Sequence, residues 1–364
     1  MEIYAGLDVH SKNTVYCIQS KDGEVLAQGE IATDAQQLAC MFKRHKVAPG
    51  TRVGLETGTQ AHWMAETLFK LGMEPVVIDA GEVRRKARRR SQKCDSRDAF
   101  EICDGLRRQQ WEKIVWLPPA EIRQMRELLS RRRSFVSLRA KQINCAKFIL
   151  RSHGIATSRM TLQSDMAWQR VINAHPAHAQ FVQLHREFWC QACKTIAQLD
   201  EQLQQCLECF GHRSELLQTC FGVGPVVAAT FIAAIGDASR FATSNHVVSY
   251  LGLAPSTYDS GERQRRGRIT HEGPRWARSA LVESAHQARR RNHPLQPYYR
   301  RMAAKTGIKC AAVAVAARLA RILWRMWSDN QAFDLSKLNV CRSPKTTLKT
   351  TIYQMKETTM AKAL

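Results

Sequence analysis

The central stretch of the chain, from Glu121 to Phe210, contains almost no glycine or proline, which restricts it to long helices. Only Gly154 and Pro176 interrupt it. Apolar residues near its end recur at alternating spacings of three and four, as in a coiled-coil seam: Ile196, Leu199, Leu203, Cys206 and Phe210. We predict two long helices, at about 120–152 and 178–210, with an irregular excursion between them. They form either a hairpin that separates two domains or a coiled coil that joins two copies of the chain.

Strand patterns dominate the sequence before this stretch, and glycine-punctuated helical patterns follow it. Residues 2–9, 14–19 and 25–31 indicate an antiparallel meander. The next elements alternate helix and strand: 34–44, 52–56, 60–71 and 74–78. This order favours an α/β domain with a mixed sheet, followed by mainly helical domains, hence an α/β plus α fold class. We predict domains at 1–117, 118–210 and 211–335, with a poorly ordered tail at 336–364.

The charge balance points to a polyanionic partner. Lys and Arg total 55 against 32 Asp and Glu, a net charge of +23, and charge of this size opposes compaction unless a partner neutralises it. Nucleic acid is the first candidate, and a membrane surface is the second. We expect no membrane association, since no apolar run approaches the ~20 residues of a spanning helix. Glu2 and Asp8 flank only a short apolar run, which argues against a secretory signal. We therefore expect a cytoplasmic protein with reduced cysteines.

Four carboxylates stand at predicted element ends. Asp8 ends the first strand and Glu56 ends a later one, whereas Asp95 and Asp98 precede a helical run at a spacing that places them on one helix face. Hard divalent cations prefer such oxygen clusters, and two Mg²⁺ ions about 4 Å apart activate phosphodiester chemistry. Strand-end caps and surface ion pairs are the alternative.

A dense basic run precedes the last two carboxylates. With a single acid inside the run, these side chains would repel one another without an anionic partner, so we predict phosphate binding. The run comprises Arg84, Arg85, Lys86, Arg88, Arg89, Arg90, Lys93 and Arg97.

The motifs around these acids, GLDVHSK, LETG and KCDSRDA, resemble those of insertion-sequence family one-ten transposases of the DEDD type, described as bridge-RNA-guided recombinases. The third motif has Cys94 where the family usually has Thr, which leaves the carboxylates unaffected. The resemblance implies an RNase H-like, resolvase-type fold over about residues 1–115. It also implies that Asp8, Glu56, Asp95 and Asp98 hold Mg²⁺.

Two further motifs lie in the last third of the chain. In the first, Gly222 and Gly224 form a turn before Pro225, which is similar to a helix-hairpin-helix element that grips a phosphate backbone; a plain capping turn is the alternative. In the second, Ser260-Gly261 stands in a predicted loop ahead of an arginine cluster suited to clamping phosphate. The clamp residues are Arg263, Arg265, Arg266, Arg268, Arg275 and Arg278. Ser260 occupies the position of the family's catalytic serine, which implies a covalent serine–DNA intermediate.

Four cysteines have zinc-ribbon spacing: Cys190, Cys193, Cys206 and Cys209. Zinc ribbons place each pair on a tight turn. Here both pairs fall within one predicted helix, where a separation of 16 residues corresponds to about 24 Å. We therefore expect no zinc.

The sequence thus predicts a DNA transposase with Mg²⁺ and a serine nucleophile. The resemblance implies a guide RNA, which composition does not. It also implies a homodimer or homotetramer, since the family builds its site from two protomers. A junction-resolving or RNase H-type nuclease, in which water attacks, is the alternative. A non-catalytic nucleic-acid-binding protein is a third possibility, against which the four acids argue.

Overall fold

The computed structural model describes residues 2–86, 94–260 and 263–338, with the backbone alone for 257–260 and 263–266. The chain divides into two compact units, Met1–Pro118 and Pro119–Leu364. The expected tail beyond residue 338 lies outside the described residues. Within those residues, no helix combines the length and apolar character that crossing a bilayer requires.

The first unit alternates strands and helices in the predicted order. Its strands are β1 (Ile3–Val9), β2 (Asn13–Ser20), β3 (Val25–Ala32), β4 (Arg52–Glu56) and β5 (Glu74–Ile78). Its helices are α1 (Ala35–Arg44), α2 (Ala61–Lys70), α3 (Ala80–Lys86) and α4 (Asp95–Arg107).

The five strands form one mixed sheet in the order β3-β2-β1-β4-β5. The meander β1-β2-β3 is antiparallel, whereas β1, β4 and β5 run parallel to one another. The predicted mixed sheet is confirmed, and the arrangement is consistent with an RNase H-like domain.

Both faces of the central strand β1 are covered. Ala5 and Leu7 pack into a cluster with α1 and α2, and Tyr4, on the opposite face, packs into a second cluster with α4. Because successive side chains of a strand alternate between faces, Gly6 and Asp8 lie on the α4 side.

Two glycines allow α4 to lie directly against the sheet. A Cβ at Gly6 would lie 2.5 Å from the backbone nitrogen of Cys103, and one at Gly54 would lie 2.9 Å from Cγ2 of Ile102. Each glycine stands two residues before a predicted catalytic acid, Asp8 or Glu56. The close approach therefore positions α4 against the strands that carry those acids.

Replacing Gly6 with Ala should lower the free energy of unfolding by about 1–3 kcal/mol, because the methyl group would force the α4 backbone away from β1. Urea denaturation measures this change. Gly58→Ala is the matched control, because a Cβ there meets nothing within 4 Å. Equal unfolding free energies for the two variants would contradict the close-packing account.

The second unit begins with the two predicted long helices. These are α5 (Ala120–Ser152) and α7 (Ala179–Glu208), with the short helix α6 (Asp165–Ala174) between them. The pairing of Arg132 with Asp200, and of Gln142 with His185, shows that α5 and α7 run antiparallel.

The seam of α7 is buried within the chain. Ile196, Leu199, Leu203 and Cys206 are at most 8% exposed. The structure therefore uses these residues in a hairpin, and the interpretation of this seam as a face that joins two copies is wrong.

The last part of the chain is mainly helical. Its helices are α8 (Gly211–Gln218), α9 (Pro225–Ile235), α10 (Ser244–Tyr250), α11 (Arg275–Ala285), α12 (Gln296–Thr306) and α13 (Ile308–Asp329). The segment predicted as a loop around Ser260 instead contains two antiparallel strands, β6 (Pro255–Ser260) and β7 (Arg263–Ile269). Period-2 alternation is weak there because arginines occupy most of β7.

Candidate active site

Asp8 and Glu56 lie at the carboxyl ends of neighbouring parallel strands. Leu7 of β1 is in register with Leu55 of β4, so the next residue of each strand falls at the same level. Both acids follow the close-packed glycines on the face that α4 covers. Asp8 is 14% exposed, so its carboxylate is largely withdrawn from solvent.

Asp95 and Asp98 lie in the first turn of α4, one helical turn apart. Cys94, the N-cap residue, has an extended backbone. Carboxylates are stabilised in a first helical turn, where the backbone N–H groups point toward them. Asp95 is 53% exposed and Asp98 is partly buried.

His10 joins two of these acids, although it is absent from the residues that the sequence predicts for the site. Its Nε2 lies 3.2 Å from Oδ2 of Asp8 and 3.5 Å from Oδ2 of Asp95. One ligand atom from each of the three residues lies within 4.8 Å of the others. The available signal was the spacing Asp8-x-His10, because residues two apart at a strand end share a face.

The side chains fit a divalent cation. Carboxylate oxygens suit Mg²⁺ and Mn²⁺, and imidazole nitrogen is a further metal ligand. Glu56 and Asp98 do not belong to this group of three residues. Glu56 lies on β4 at the level of Asp8, and Asp98 lies one helical turn beyond Asp95 on α4.

The described part of the basic run contains Arg84, Arg85, Lys86 and Arg97. Arg84 and Arg85 are exposed on α3. Nζ of Lys86, however, lies 2.7 Å from Glu82 and also donates to the carbonyl of Gln110. The predicted phosphate contact of Lys86 thus competes with contacts inside the chain. Arg88, Arg89, Arg90 and Lys93 lie outside the described residues.

Glu82 is a buried carboxylate, only 3% exposed. Burial acts to raise its pKa, but the hydrogen bond with Lys86 and those from the backbone N–H groups of Glu112 and Lys113 lower the pKa to about 2. This network ties α3 to the segment after α4.

Ser260 is the last residue of β6, in register with Arg263 at the start of β7. The structure gives the backbone of this position, and Gly261 and Glu262 between the strands lie outside the described residues. Ser256, in the same strand, donates its hydroxyl to the carbonyl of Arg268 at 2.9 Å. Ser256 therefore fastens the two strands together.

The arginines that follow Ser260 differ in environment. Arg268 and Arg275 are exposed. Arg278 is 8% exposed, and its Nη1 donates to the carbonyls of Leu251 and Glu272, each at 3.1 Å. Arg278 therefore fastens the loop around Gly252 and Gly273 from its buried side, and its predicted phosphate contact competes with these two hydrogen bonds. The side chains of Arg263, Arg265 and Arg266 lie outside the described set.

The turn between α8 and α9 has the predicted glycines at its bends. Gly222 has a φ of +82°, a conformation that favours glycine, and its carbonyl accepts a 2.6 Å hydrogen bond from Ser284. Gly224 is the N-cap of α9, and Pro225 is the first helical residue. A Cβ at Gly224 meets nothing within 4 Å, so the backbone there is open to approach.

The four cysteines with zinc-ribbon spacing all belong to one continuous helix or its cap. Cys190, Cys193 and Cys206 lie on α7, and Cys209 is its C-cap. The two pairs are therefore separated by about 24 Å along the helix axis. Their four sulfur atoms are too far apart to bind one zinc ion.

Two family profiles match the chain. A profile for the DEDD domain of IS110 elements, described as "Transposase", matches residues 5–154. A second, described as "Transposase IS116/IS110/IS902 family", matches residues 214–300. The first match contains the four acids, and the second contains the α8–α9 turn and Ser260.

Individual relatives agree with the profiles. A "Probable family 20 transposase" of Pseudomonas aeruginosa is 29% identical over 299 residues, which cover 78% of this chain and 86% of the relative. An insertion element IS116 protein of 44.8 kDa from Streptomyces clavuligerus is 22% identical, covering 91% of this chain and 96% of the relative. A "Pilin gene-inverting protein" of Moraxella bovis is 33% identical, covering 38% of this chain and 45% of the relative.

Proposed function

This chain belongs to the IS116/IS110/IS902 family of transposases and has a DEDD-type N-terminal domain, and from that premise we propose that Ser260 attacks DNA with the help of cations held by the carboxylates. A transposase cleaves DNA and transfers strands, so the chain is an enzyme of DNA recombination. The name of the Moraxella bovis relative, a gene-inverting protein, supports cutting followed by rejoining.

One observation carries the metal-dependent part of the proposal: Asp8 and Asp95 converge, although 86 intervening residues separate them. One carboxylate oxygen of Asp8 lies within 4.8 Å of one of Asp95. Two negative charges this close in space are costly unless a cation neutralises them. Asp8, Glu56, Asp95 and Asp98 would hold divalent cations, two Mg²⁺ per site in our proposal. Such ions supply positive charge that stabilises the phosphate oxygens as charge develops on them.

The serine supplies the attacking atom. In the proposed step, Oγ of Ser260 forms a bond to phosphorus, one backbone P–O bond of the DNA breaks, and the hydroxyl proton is released. The new strand end carries a free hydroxyl, which later attacks the phosphoserine and restores Ser260. The exposed guanidinium groups of Arg268, on β7, and Arg275, at the start of α11, suit phosphate binding in the same unit as Ser260.

A denaturing gel separates this mechanism from a water-dependent nuclease, the second candidate, which would use the same carboxylates. After incubation of labelled DNA with the protein and Mg²⁺, we expect a labelled band at the protein position. Free cleaved ends without that band would favour the nuclease. Absence of both products would indicate a protein that only binds nucleic acid.

We also propose a structured guide RNA as a partner, beside the donor and target DNA. The net charge of +23 supports binding of a second polyanion, and the family resemblance supplies its identity as RNA. Sequencing of RNA that copurifies with the protein tests this. One abundant structured species is expected, and a random sample of cellular RNA would contradict it.

Replacing Arg88, Arg89 and Arg90 together with Gln should weaken nucleic-acid binding and flatten its salt dependence. For each phosphate that is no longer neutralised by an arginine, the slope of log affinity against log salt concentration falls by about 0.7–0.9. Fluorescence anisotropy at several salt concentrations measures the slope. An unchanged slope would mean that these side chains do not bind phosphate.

We propose that two copies of the chain associate through the outer face of α7. Phe181, Leu184 and Phe188 share that face and are 56%, 49% and 55% exposed. Light scattering should give at least twice the chain mass of 41.3 kDa. Joint replacement of Phe181 and Phe188 with Glu should lower the mass, whereas Phe69→Glu, at a position 74% exposed on α2, should not. A mass of 41.3 kDa with and without nucleic acid would contradict the proposal.

A further inference from the structure

His10 belongs to the same group of side chains as Asp8 and Asp95, yet the reaction proposed above assigns it no role. Its Nε2 faces one oxygen of each carboxylate, at 3.2 Å from Asp8 and 3.5 Å from Asp95. The imidazole is 43% exposed, so it is open to a ligand from solvent. Its ring nitrogen therefore stands between two acids at a position that an ion can reach.

Hydrogen bonds hold the backbone of His10 on both sides. Its N–H donates to the carbonyl of Asn13 at 3.0 Å, which closes the turn between β1 and β2. Its carbonyl accepts from Oγ1 of Thr33 at 2.8 Å, and that hydroxyl also contacts Oγ1 of Thr14. Two neighbouring segments, the start of β2 and the residues that follow β3, thus fix the residue, so little ordering of the backbone is needed for its imidazole to bind an ion.

The distances match those between ligands of one ion. Two ligands in adjacent positions of an octahedron, each about 2.1 Å from the metal, lie about 3.0 Å apart. The two separations in the structure exceed this by only a few tenths of an ångström, and all three atoms lie within 4.8 Å of one another. The three atoms are therefore close enough together to act as ligands of one ion.

We propose that His10 is a nitrogen ligand of the catalytic metal centre and gives the centre a preference for Mn²⁺ over Mg²⁺. The inference rests on the proposed metal-dependent function and adds a ligand to it. Imidazole binds transition metals well, whereas Mg²⁺ prefers oxygen ligands and gains little from a nitrogen. A site of oxygen ligands alone would discriminate less between the two ions.

The test is Mn²⁺ binding to the full-length protein without nucleic acid, followed by electron paramagnetic resonance, with Mg²⁺ as competitor. In His10→Gln an amide oxygen, acceptable to Mg²⁺, replaces the imidazole nitrogen. We expect this variant to lose about tenfold in Mn²⁺ affinity and to change less than about threefold in Mg²⁺ affinity. The spin-echo signal of a nitrogen nucleus bonded to Mn²⁺ should be present in the wild type and absent from the variant.

Two controls make the result specific. His246→Gln removes an exposed imidazole from the second unit and should leave both affinities and the nitrogen signal unchanged. Asp8→Asn removes a carboxylate ligand and should weaken both ions together. Circular dichroism melting confirms that each variant is folded.

The outcomes separate the inference from the function on which it rests. Equal Mn²⁺ to Mg²⁺ affinity ratios in the wild type and His10→Gln, or a wild type without the nitrogen signal, would overturn the role of His10 alone. In that case, metal binding that still depends on Asp8 would leave the proposed function standing. Failure of the wild type to bind either ion would overturn both.

Discussion

Replacement of Asp8 with Asn is expected to remove nearly all strand cleavage while the affinity for DNA persists. The exchange keeps the shape of the side chain but removes a negative charge from a group that is 14% exposed and faces Asp95 through His10. The loss of one charged ligand weakens cation binding where charge develops on the phosphate. We expect cleavage to fall by about a thousandfold, equivalent to about 4 kcal/mol in the barrier.

The measurement is single-turnover cleavage of labelled DNA at limiting Mg²⁺, with anisotropy to confirm binding. Asp22→Asn is the matched control, because Asp22 is an exposed carboxylate in the turn after β2. It should leave the rate unchanged. Unchanged cleavage by Asp8→Asn at limiting Mg²⁺ would remove Asp8 from the metal centre.

Replacement of Ser260 with Ala is expected to eliminate both the covalent protein–DNA adduct and recombination. Alanine lacks the hydroxyl that is proposed to attack phosphorus, and it is otherwise similar in size. Affinity for DNA should fall little, because the arginines of β7 and α11 remain. If water is the attacking group, cleavage instead continues near its original rate.

Ser256→Ala is the comparison for Ser260→Ala, since both residues lie on β6. Removal of the Ser256 hydroxyl deletes its hydrogen bond to the carbonyl of Arg268, which costs about 1 kcal/mol of stability. The adduct should nevertheless form. Loss of the adduct in Ser256→Ala, together with its retention in Ser260→Ala, would identify Ser256 as the nucleophile.

The sequence was sufficient to predict the sheet and the strand positions of two acids. Asp8 and Glu56 each follow a Gly-Leu pair at the end of an alternating pattern, and the structure places both pairs on neighbouring parallel strands. The reason for the two glycines became visible only in three dimensions. Gly6 and Gly54 make room for α4, a contact between residues about 50 to 100 positions apart that local patterns do not encode.

The partners of charged side chains were harder to predict from the sequence than the helices and strands. The sequence predicts phosphate binding by Lys86 as one cation in a run, but the structure pairs it with Glu82, a buried acid four residues earlier on the same helix. Arg278 is predicted to bind phosphate, yet it is buried and donates to two backbone carbonyls. In both cases the charge was evident from the sequence, whereas the burial of Glu82 and of Arg278 depends on how α3 and α11 pack.

The seam of α7 shows a second limit of prediction from sequence patterns. The spacing of Ile196, Leu199 and Leu203 correctly predicts a helix with one apolar face, but spacing does not specify what covers that face. The structure buries it inside the chain. The outer residues Phe181, Leu184 and Phe188, which do not belong to the seam, remain exposed.

The identity of the residue that carries DNA during the reaction tests the central claim most directly. The wild-type protein would be incubated with DNA and Mg²⁺, denatured, digested with nuclease and trypsin, and sequenced by tandem mass spectrometry. The account predicts a nucleotide bonded through phosphate to Ser260, in the peptide that ends at Arg263, and no such product from Asp8→Asn. Efficient DNA cleavage with every serine of that peptide unmodified would contradict it.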